Sequence, residues 1–144
     1  MATISFFTEE ISFNLPNKLF LKKWIAEVIE LENKKRGEIN YIFCNDNYLL
    51  QINKQYLKHD TLTDIITFDY TQDNKGLISG DIFISIDRVK ENSKVLQIPF
   101  SKEIHRVMIH GVLHLLGYKD KSKAEKALMR QREDNSLSLQ LQIK

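Results

Sequence analysis

The sequence predicts one small α+β domain, in which a β-sheet packs against several helices. Along its 144 residues, segments with the apolar period of a helix alternate with short β-rich runs. Hydrophobic residues make up 42% of the chain, which is enough at this length to bury one core. Five glycines and two prolines are scattered singly, so no linker divides the sequence. We therefore expect residues 1–144 to form a single domain.

The first third of the chain contains two predicted strands with a helix between them. Thr3 to Phe7 is typical of a strand, and Asn14, followed by Leu-Pro, predicts a helix start. Apolar residues at the helical period extend this helix to about Glu32. They are Leu19, Phe20, Trp24, Val28, Ile29 and Leu31. Gly37 then opens the alternating strand 38–44.

The middle of the chain predicts a short helix and a β-hairpin. Asp46 can cap a helix that extends through Tyr56. Two β-rich runs follow, Asp64 to Tyr70 and Ile78 to Ile86. Residues 73–76 between them have the sequence Asp-Asn-Lys-Gly, which favours a turn. The two runs are therefore expected to pair as a hairpin.

The last third of the chain is predicted to be helical. One helix covers Asp87 to Leu96, and Pro99 with Ser101 marks the start of a long apolar helix that ends at Gly117. A charged helix from Ser122 to about Ser138 finishes the chain. The whole sequence thus predicts about four strands and about five helices.

Composition and charge exclude several classes of protein. Lys and Arg number 21 against 19 Asp and Glu, so the net charge of +2 does not describe a polycation that binds nucleic acid over its whole surface. The single cysteine, Cys44, is expected to be a small buried residue, which suits a reducing cytosol. The first ten residues lack the basic start of a secretory signal, and no apolar run approaches the length of a membrane span. We expect a soluble cytoplasmic protein.

The segment from His110 to Asp120 carries the clearest indication of chemistry. His110 and His114 are four residues apart on a predicted helix, so both imidazoles leave one face and can share an ion. Gly117 can adopt the left-handed conformation that ends the helix, which lets Asp120 turn back beside the two rings. Two histidines and one carboxylate form a known ligand set of catalytic zinc. We predict a zinc ion held by His110, His114 and Asp120.

The helix that bears the two histidines is apolar on nearly all sides except for one polar strip. The main apolar stripe consists of Ile104, Met108, Val112 and Leu115. The polar strip on nearly the opposite side consists of Glu103, Arg106, His110 and His114. A narrow polar strip on a covered helix predicts a cleft. His105 lies off the strip and is expected to be structural.

Other metal enzymes share parts of this pattern. Metalloproteases of the HExxH type need a glutamate directly after the first histidine as general base, and this chain has Gly111 there, which argues against that class. Two histidines and a carboxylate also describe the iron site of non-haem oxygenases. Another metal-dependent hydrolase or an iron enzyme therefore stays open as an alternative.

The same residues resemble the YbeY family of single-strand-specific metallo-endoribonucleases, whose motif is H-G-x-L-H-L-x-G-Y-D-H. The resemblance extends upstream to Asp60 and to two further runs, and downstream Met129 and Glu133 also fit. The two runs are Thr63-Asp64-Ile65-Ile66-Thr67-Phe68 and Gly80-Asp81-Ile82-Phe83-Ile84-Ser85. The match alone makes Asp64 and Asp81 candidate cleft residues.

This resemblance implies a fold, a cofactor, an activity and partners. The implied fold is a mixed four-stranded sheet flanked by helices, and the implied cofactor is one zinc ion per chain. The implied activity is maturation of ribosomal RNA, including processing of the 3′ end of 16S rRNA, together with ribosome quality control. The implied partners are single-stranded RNA, ribosomal RNA, and the ribosome or its small subunit.

The chain departs from the family pattern at two places. Asp120 occupies the usual position of a third histidine, preceded by Lys119 where Asp is usual, and we carry the ligand role over to Asp120. Its negative charge should reduce the Lewis acidity of the cation and make Mn²⁺ or Fe²⁺ more competitive with zinc. The family commonly has an arginine, suited to a phosphate, where this chain has Leu57. Lys58 or His59 can take over as phosphate contact or proton donor.

These considerations assign roles to a small set of residues. His114 and Lys58 are the predicted catalytic residues, and Lys58, His59, Lys119 and Lys121 are the predicted RNA contacts. Residues 119–132 hold six basic and two acidic side chains, which form either a patch that steers RNA or a solvated helix face. The leading hypothesis is a zinc-dependent endoribonuclease. The alternative is a non-catalytic ribosome-assembly factor whose metal is structural.

Overall fold

The predicted β-rich runs pair into one sheet in the computed structural model, which describes residues 3–59, 61–71 and 76–143. The strands are β1 (Ile4–Thr8), β2 (Lys35–Cys44), β3 (Ile65–Asp69) and β4 (Leu77–Ser85), in the spatial order β1-β2-β4-β3. β2 runs parallel to both β1 and β4, whereas β3 is antiparallel to β4. This arrangement confirms the predicted α+β class and the mixed four-stranded sheet.

The described residues also form five α-helices. They are α1 (Lys18–Leu31), α2 (Asp46–Ile52), α3 (Ile86–Leu96), α4 (Phe100–Leu115) and α5 (Lys123–Leu139). A π-helical segment, Asn53–Leu57, continues α2, and a 3₁₀ turn, Gln140–Gln142, follows α5. Within the described residues, no helix combines the length and the apolar composition that a bilayer crossing requires.

The predicted hairpin forms between β3 and β4, in a register that opposes Phe68 to Asp81 and Asp69 to Gly80. β3 therefore lies at the edge of the sheet, with β4 as its paired neighbour. The turn predicted over 73–76 lies outside the described residues except for Gly76, and Asp60 lies outside them as well.

The predicted start of α1 at Asn14 is wrong. The helix begins at Lys18 after Asn17, whose φ is 62° and whose side chain makes no capping hydrogen bond. Leu15 is buried in the core, and a proline after it disfavours the helical conformation at that position. Residues 14–16 therefore anchor a loop in the core instead of forming the first helical turn.

The predicted cap of α2 at Asp46 is also wrong, because the capping residue is Asn45. The Asn45 side chain accepts a hydrogen bond of 2.8 Å from the backbone N–H of Tyr48. The Asp46 carboxylate instead accepts hydrogen bonds from the Ser85 hydroxyl at 2.8 Å and from Nε of Arg88 at 3.1 Å. These partners, at the end of β4 and in α3, bind the carboxylate, so it does not cap the first turn of α2.

Strand β2 starts at Lys35, three residues earlier than predicted, and Gly37 lies inside it. The pairing of β2 with β4 shifts register between Arg36 and Ile39. A Cβ on Gly37 would collide with the side chain of Ser79. Glycine is common where a strand bulges or another chain segment comes close, so Gly37 marks an irregularity and not the strand end.

The main core fills the space between one face of the sheet and the helices α1 and α4. Trp24 of α1 is fully buried and donates a hydrogen bond of 2.7 Å to the carbonyl of Ser136 in α5. His105 lies against the Trp24 ring, with 5.8 Å between ring centroids, which agrees with its expected structural role. On the other face, α2 covers a smaller cluster that contains Cys44. Burial raises the pKa of the Cys44 thiol to about 12, as expected for an inert buried cysteine.

The C-terminal end of α4 packs directly on β4 at Gly80. A Cβ on Gly80 would lie 2.8 Å from Cδ2 of Leu115 and would also collide with the carbonyl oxygen of Phe68 in β3. We expect Gly80→Ala to destabilise the protein by about 1–3 kcal/mol, because the backbone of the edge strand must move to make room. Urea unfolding measures this change, with the exposed α3 variant Lys90→Ala as a control. An unchanged unfolding midpoint in Gly80→Ala would contradict the close packing described here.

Candidate metal centre

One face of α4 lines an open cleft of about 910 Å³. The side chains of Glu103, Arg106, His110 and His114 all border this cleft, as the polar strip predicted. The predicted apolar stripe is buried, and its last member, Leu115, packs on β4 and also reaches the cleft wall. The remaining walls come from the loop before β3, from β3 itself, from the end of the π-helical segment and from α5. The expectation that the two histidines face a cleft is therefore confirmed.

A helix-ending turn brings Asp120 back towards α4. Gly117 has a φ of 106°, and its N–H donates to the carbonyl of His114 at 3.0 Å. The N–H of Tyr118 donates to the carbonyl of Leu113, also at 3.0 Å, which completes a Schellman motif. The Tyr118 hydroxyl then donates to a carboxylate oxygen of Glu32 at 2.5 Å and ties the turn to the residue after α1. These bonds hold the loop that carries Asp120.

Three ligand atoms converge at this point. Nε2 of His110 lies 3.0 Å from Nε2 of His114 and 3.1 Å from Oδ2 of Asp120, and the latter two atoms are 3.4 Å apart. A tetrahedral ion with bonds of about 2.0–2.1 Å separates its ligand atoms by about 3.4 Å. The three atoms therefore already have nearly the spacing that a zinc-sized cation requires. Among the described residues, the side chains of His110, His114 and Asp120 lie close enough together to hold a metal ion.

Glu133 of α5 fixes the orientation of His110. The Glu133 side chain is only 7% exposed, and its Oε2 accepts a hydrogen bond of 2.6 Å from Nδ1 of His110. Its Oε1 accepts a second hydrogen bond of 3.0 Å from Arg106, which also pairs with Asp134 at 3.0 Å. With the proton held on Nδ1, the lone pair of Nε2 points towards the other two ligand atoms. Outer carboxylates of this kind orient metal-bound histidines in many proteins.

The two histidines differ in their electrostatic surroundings. Burial alone lowers the pKa of His110, but the hydrogen bond and charge of Glu133, with the charges of Asp120 and Asp64, outweigh burial and raise it. Burial and the neighbouring His110 lower the pKa of His114, and Asp120 offsets them only in part. The lowered pKa of His114 favours the neutral imidazole, which is the form that binds a cation.

Two further acids line the cleft, the buried Glu103 and the partly buried Asp64. Glu103 is only 4% exposed, and burial raises its pKa, with the charge of Asp64 adding to the effect. Burial likewise raises the pKa of Asp64, whose carboxylate accepts a hydrogen bond of 3.3 Å from the Asn92 amide. The structure thus brings Asp64 to the cleft, as the motif match indicated. It does not bring Asp81 there, because Asp81 lines a separate groove and accepts a hydrogen bond from the Tyr70 hydroxyl.

The predicted RNA contacts divide into two groups by position. His59 and Lys121 line the cleft, and so does Leu57. Lys58, which ends the π-helical segment with a φ of 57°, and Lys119 are exposed beside the cleft without lining it. Three further side chains lie in the cleft wall: Arg106, as the polar strip predicted, Arg130 of the basic stretch 119–132, and Glu133. The packing of α5 against α4 places Arg130 and Glu133 there. The match of Glu133 to the family motif was the sequence signal for that residue, but no pattern indicated that it would bind His110.

Known proteins match this chain over nearly its whole length. A family model described as Endoribonuclease YbeY matches residues 4–140. Curated proteins with the name Endoribonuclease YbeY from Flavobacterium psychrophilum and Flavobacterium johnsoniae are 56% and 52% identical to this chain, with 92% of this chain and 94% of each relative covered. One from Cytophaga hutchinsonii is 50% identical, with 95% of each chain covered. The solution structure of TM1509 from Thermotoga maritima superposes with a TM-score of 0.64 at 25% identity, covering 94% of this chain and 90% of that one.

Proposed function

The chain belongs to the YbeY endoribonuclease family, and on this premise we propose that it cleaves single-stranded RNA in the cleft beside His110, His114 and Asp120. The observation that carries the proposal is the convergence of three ligand atoms, within 3.4 Å of one another, in an open cleft. That spacing suits one divalent cation and leaves the side towards the cleft free for substrate.

Zinc is the proposed metal, because two imidazoles and one carboxylate suit it. The carboxylate of Asp120 adds a negative charge that makes Mn²⁺ and Fe²⁺ stronger competitors. A cation bound here supplies Lewis acidity towards a phosphate oxygen and makes a coordinated water acidic enough to act as nucleophile near neutral pH.

The protein's own side chains are proposed to hold the cation, to orient one of its ligands and to contact the RNA. His110, His114 and Asp120 hold the cation, and Glu133 keeps the His110 ring turned towards it. Lys121 and His59 border the cleft, where we propose that they contact the RNA backbone. Lys58 is proposed as a proton donor or phosphate contact that approaches once RNA is bound.

We extend the proposal to the biological substrate and location. The family name supports RNA cleavage, and the resemblance implies ribosomal RNA, with the 3′ end of 16S rRNA as the processed region and the ribosome or small subunit as partner. We place this reaction in the cytoplasm. Cleavage of a 16S precursor presented on small subunits, compared with the same precursor free in solution, tests this extension.

The experiment that tests the proposed activity starts from protein stripped of metal and reloaded with Zn²⁺, Mn²⁺ or Fe²⁺ in turn. We expect labelled single-stranded RNA to be cut only after loading, while duplex RNA and single-stranded DNA stay intact. Elemental analysis of anaerobically purified protein identifies the metal, and iron alone would favour a non-haem iron enzyme.

A second candidate function, a non-catalytic assembly factor, has one observation in its favour. Leu57 is 43% exposed in the cleft wall and offers no charge to a phosphate. For that function, metal removal should unfold the protein, and no metal should restore RNA cutting although RNA still binds. Cutting by loaded protein excludes this candidate.

A further inference from the structure

The cleft carries more negative than positive charge, although its proposed substrate is a polyanion. Its lining acids are Asp64, Asp69, Glu103, Asp120 and Glu133, and its lining lysine and arginine residues are Arg106, Lys121 and Arg130. A bound cation would neutralise part of the negative charge, but RNA binding depends chiefly on Lys and Arg contacts to phosphates. A phosphate can therefore be bound only by a basic residue that the protein's own carboxylates leave available.

Arg106 is already committed to carboxylates of its own protein. One terminal nitrogen lies 3.0 Å from Oε1 of Glu133 and the other lies 3.0 Å from Oδ1 of Asp134. Its side chain is only 12% exposed. To contact a phosphate, Arg106 would have to break two charge-assisted hydrogen bonds inside the protein, so its role is to hold Glu133.

Arg130 lies one helical turn before Glu133 on α5, and its side chain is 57% exposed. The nearest carboxylate oxygen, Oε1 of Glu133, is 3.9 Å away, which is beyond the length of a charge-assisted hydrogen bond of about 2.7–2.9 Å. That oxygen already accepts from Arg106, and the other oxygen of Glu133 accepts from His110. In the part of the chain that the structure describes, Arg130 therefore forms only this long ion pair with Glu133, and no carboxylate accepts a hydrogen bond from its guanidinium.

The position of Arg130 is close to the metal centre. Its guanidinium lies beside Oε1 of Glu133, and Oε2 of the same carboxylate accepts the hydrogen bond from His110. A single carboxylate therefore separates Arg130 from a metal-binding imidazole. The wall formed by the π-helical segment offers Leu57 and no arginine. We propose that Arg130 binds the phosphate of the RNA that lies next to the metal centre, an inference that rests on the proposed function. Its planar fork can contact two phosphate oxygens at once, whereas Lys121 offers a single point charge.

The chain offers a matched control on the same helix. Arg132 carries the same charge two residues further along α5, but it lies over the Tyr118 ring, 5.5 Å from the ring centroid, and outside the cleft lining. Removal of Arg132 changes the net charge by the same amount as removal of Arg130. A general loss of positive charge would affect both variants alike, whereas a specific phosphate contact would affect Arg130 alone.

The test compares Arg130→Ala, Arg130→Lys and Arg132→Ala. We expect Arg130→Ala to weaken the binding of single-stranded RNA to metal-free protein about 10-fold and to raise KM by a similar factor. The slope of the logarithm of the binding constant against the logarithm of salt concentration should become shallower by about 1, the contribution of one phosphate contact. Metal content and thermal midpoint should match those of the wild type, because the side chain is exposed. Arg130→Lys should recover part of the binding, and Arg132→Ala should stay close to wild type.

The outcomes separate this inference from the proposed function. If the wild type cuts RNA and Arg130→Ala matches Arg132→Ala in binding, KM and salt slope, the inference is overturned and the proposed function stands. If the wild type binds RNA without cutting it, the proposed function fails, and the binding difference between the two variants still decides the role of Arg130. If the wild type does not bind RNA, both fail.

Discussion

Substitution of His114 by alanine is expected to abolish RNA cleavage and leave the fold intact. His114 supplies one of three ligand atoms, and a site with only His110 and Asp120 holds a divalent cation poorly. Loss of a residue that only orients a metal ligand lowers metal affinity or activity about 10–100-fold. Loss of a ligand itself should therefore reduce cleavage by more than about 100-fold. The imidazole is 30% exposed and lies outside the core, and alanine is the better helix former, so α4 should persist.

Three measurements on the same sample check this expectation. Elemental analysis should show less than one metal per chain, RNA cleavage should disappear, and circular dichroism with thermal unfolding should match the wild type in its metal-free form. The control His105→Gln changes a histidine of the same helix that contacts Trp24 and Gln140 away from the cleft. It should retain metal and activity. Equal cleavage by His114→Ala and the wild type would show that a contaminating nuclease, or another site, cuts the RNA.

The part of the metal centre that depends on local geometry could be predicted from the sequence. Two histidines at i and i+4 share a helix face whatever surrounds the helix. Gly117 can end the helix because glycine adopts a positive φ without strain, and the structure has it at 106°. Asp120 follows three residues later, in a turn that the hydrogen bond from Tyr118 to the distant residue Glu32 also holds. The two histidines and the helix end therefore follow from local sequence, whereas the position of the Asp120 loop also depends on a distant residue, Glu32.

The remaining parts of the site depend on contacts between distant segments, and local patterns do not encode them. The sequence motifs made Asp64 and Asp81 equal candidates, but Asp64 directly precedes β3 and lines the cleft, whereas Asp81 lies within β4 and does not. The β3–β4 register decides this, since it pairs Asp81 with Phe68, whose side chain lines the separate groove. In the same way, Asp46 was a good capping residue by type, but Arg88 and Ser85 of distant segments bind its carboxylate.

Substitution of Glu133 by alanine is expected to weaken metal binding about 10–100-fold without removing a ligand. The hydrogen bond of 2.6 Å from Nδ1 of His110 would be lost, so the ring could rotate and Nδ1 could lose the proton that keeps Nε2 available. Arg106 would also lose its buried partner, and loss of one member of a buried pair costs about 3 kcal/mol or more. Because Arg106 keeps its bond to Asp134, the loss of stability should be near the lower limit of that range.

Asp134→Ala separates the two consequences of removing Glu133, because Asp134 pairs with the same arginine but does not touch His110. Metal affinity, measured by competition with a chelator of known strength, should fall in Glu133→Ala and stay at the wild-type level in Asp134→Ala. The thermal midpoint of metal-free protein should fall in both. Glu133→Gln should be intermediate, since an amide oxygen can still accept from His110 while its N–H₂ faces the guanidinium of Arg106. If Asp134→Ala weakened metal binding as much as Glu133→Ala, the effect would come from the general packing of α5 on α4, and Glu133 would not be the residue that orients His110.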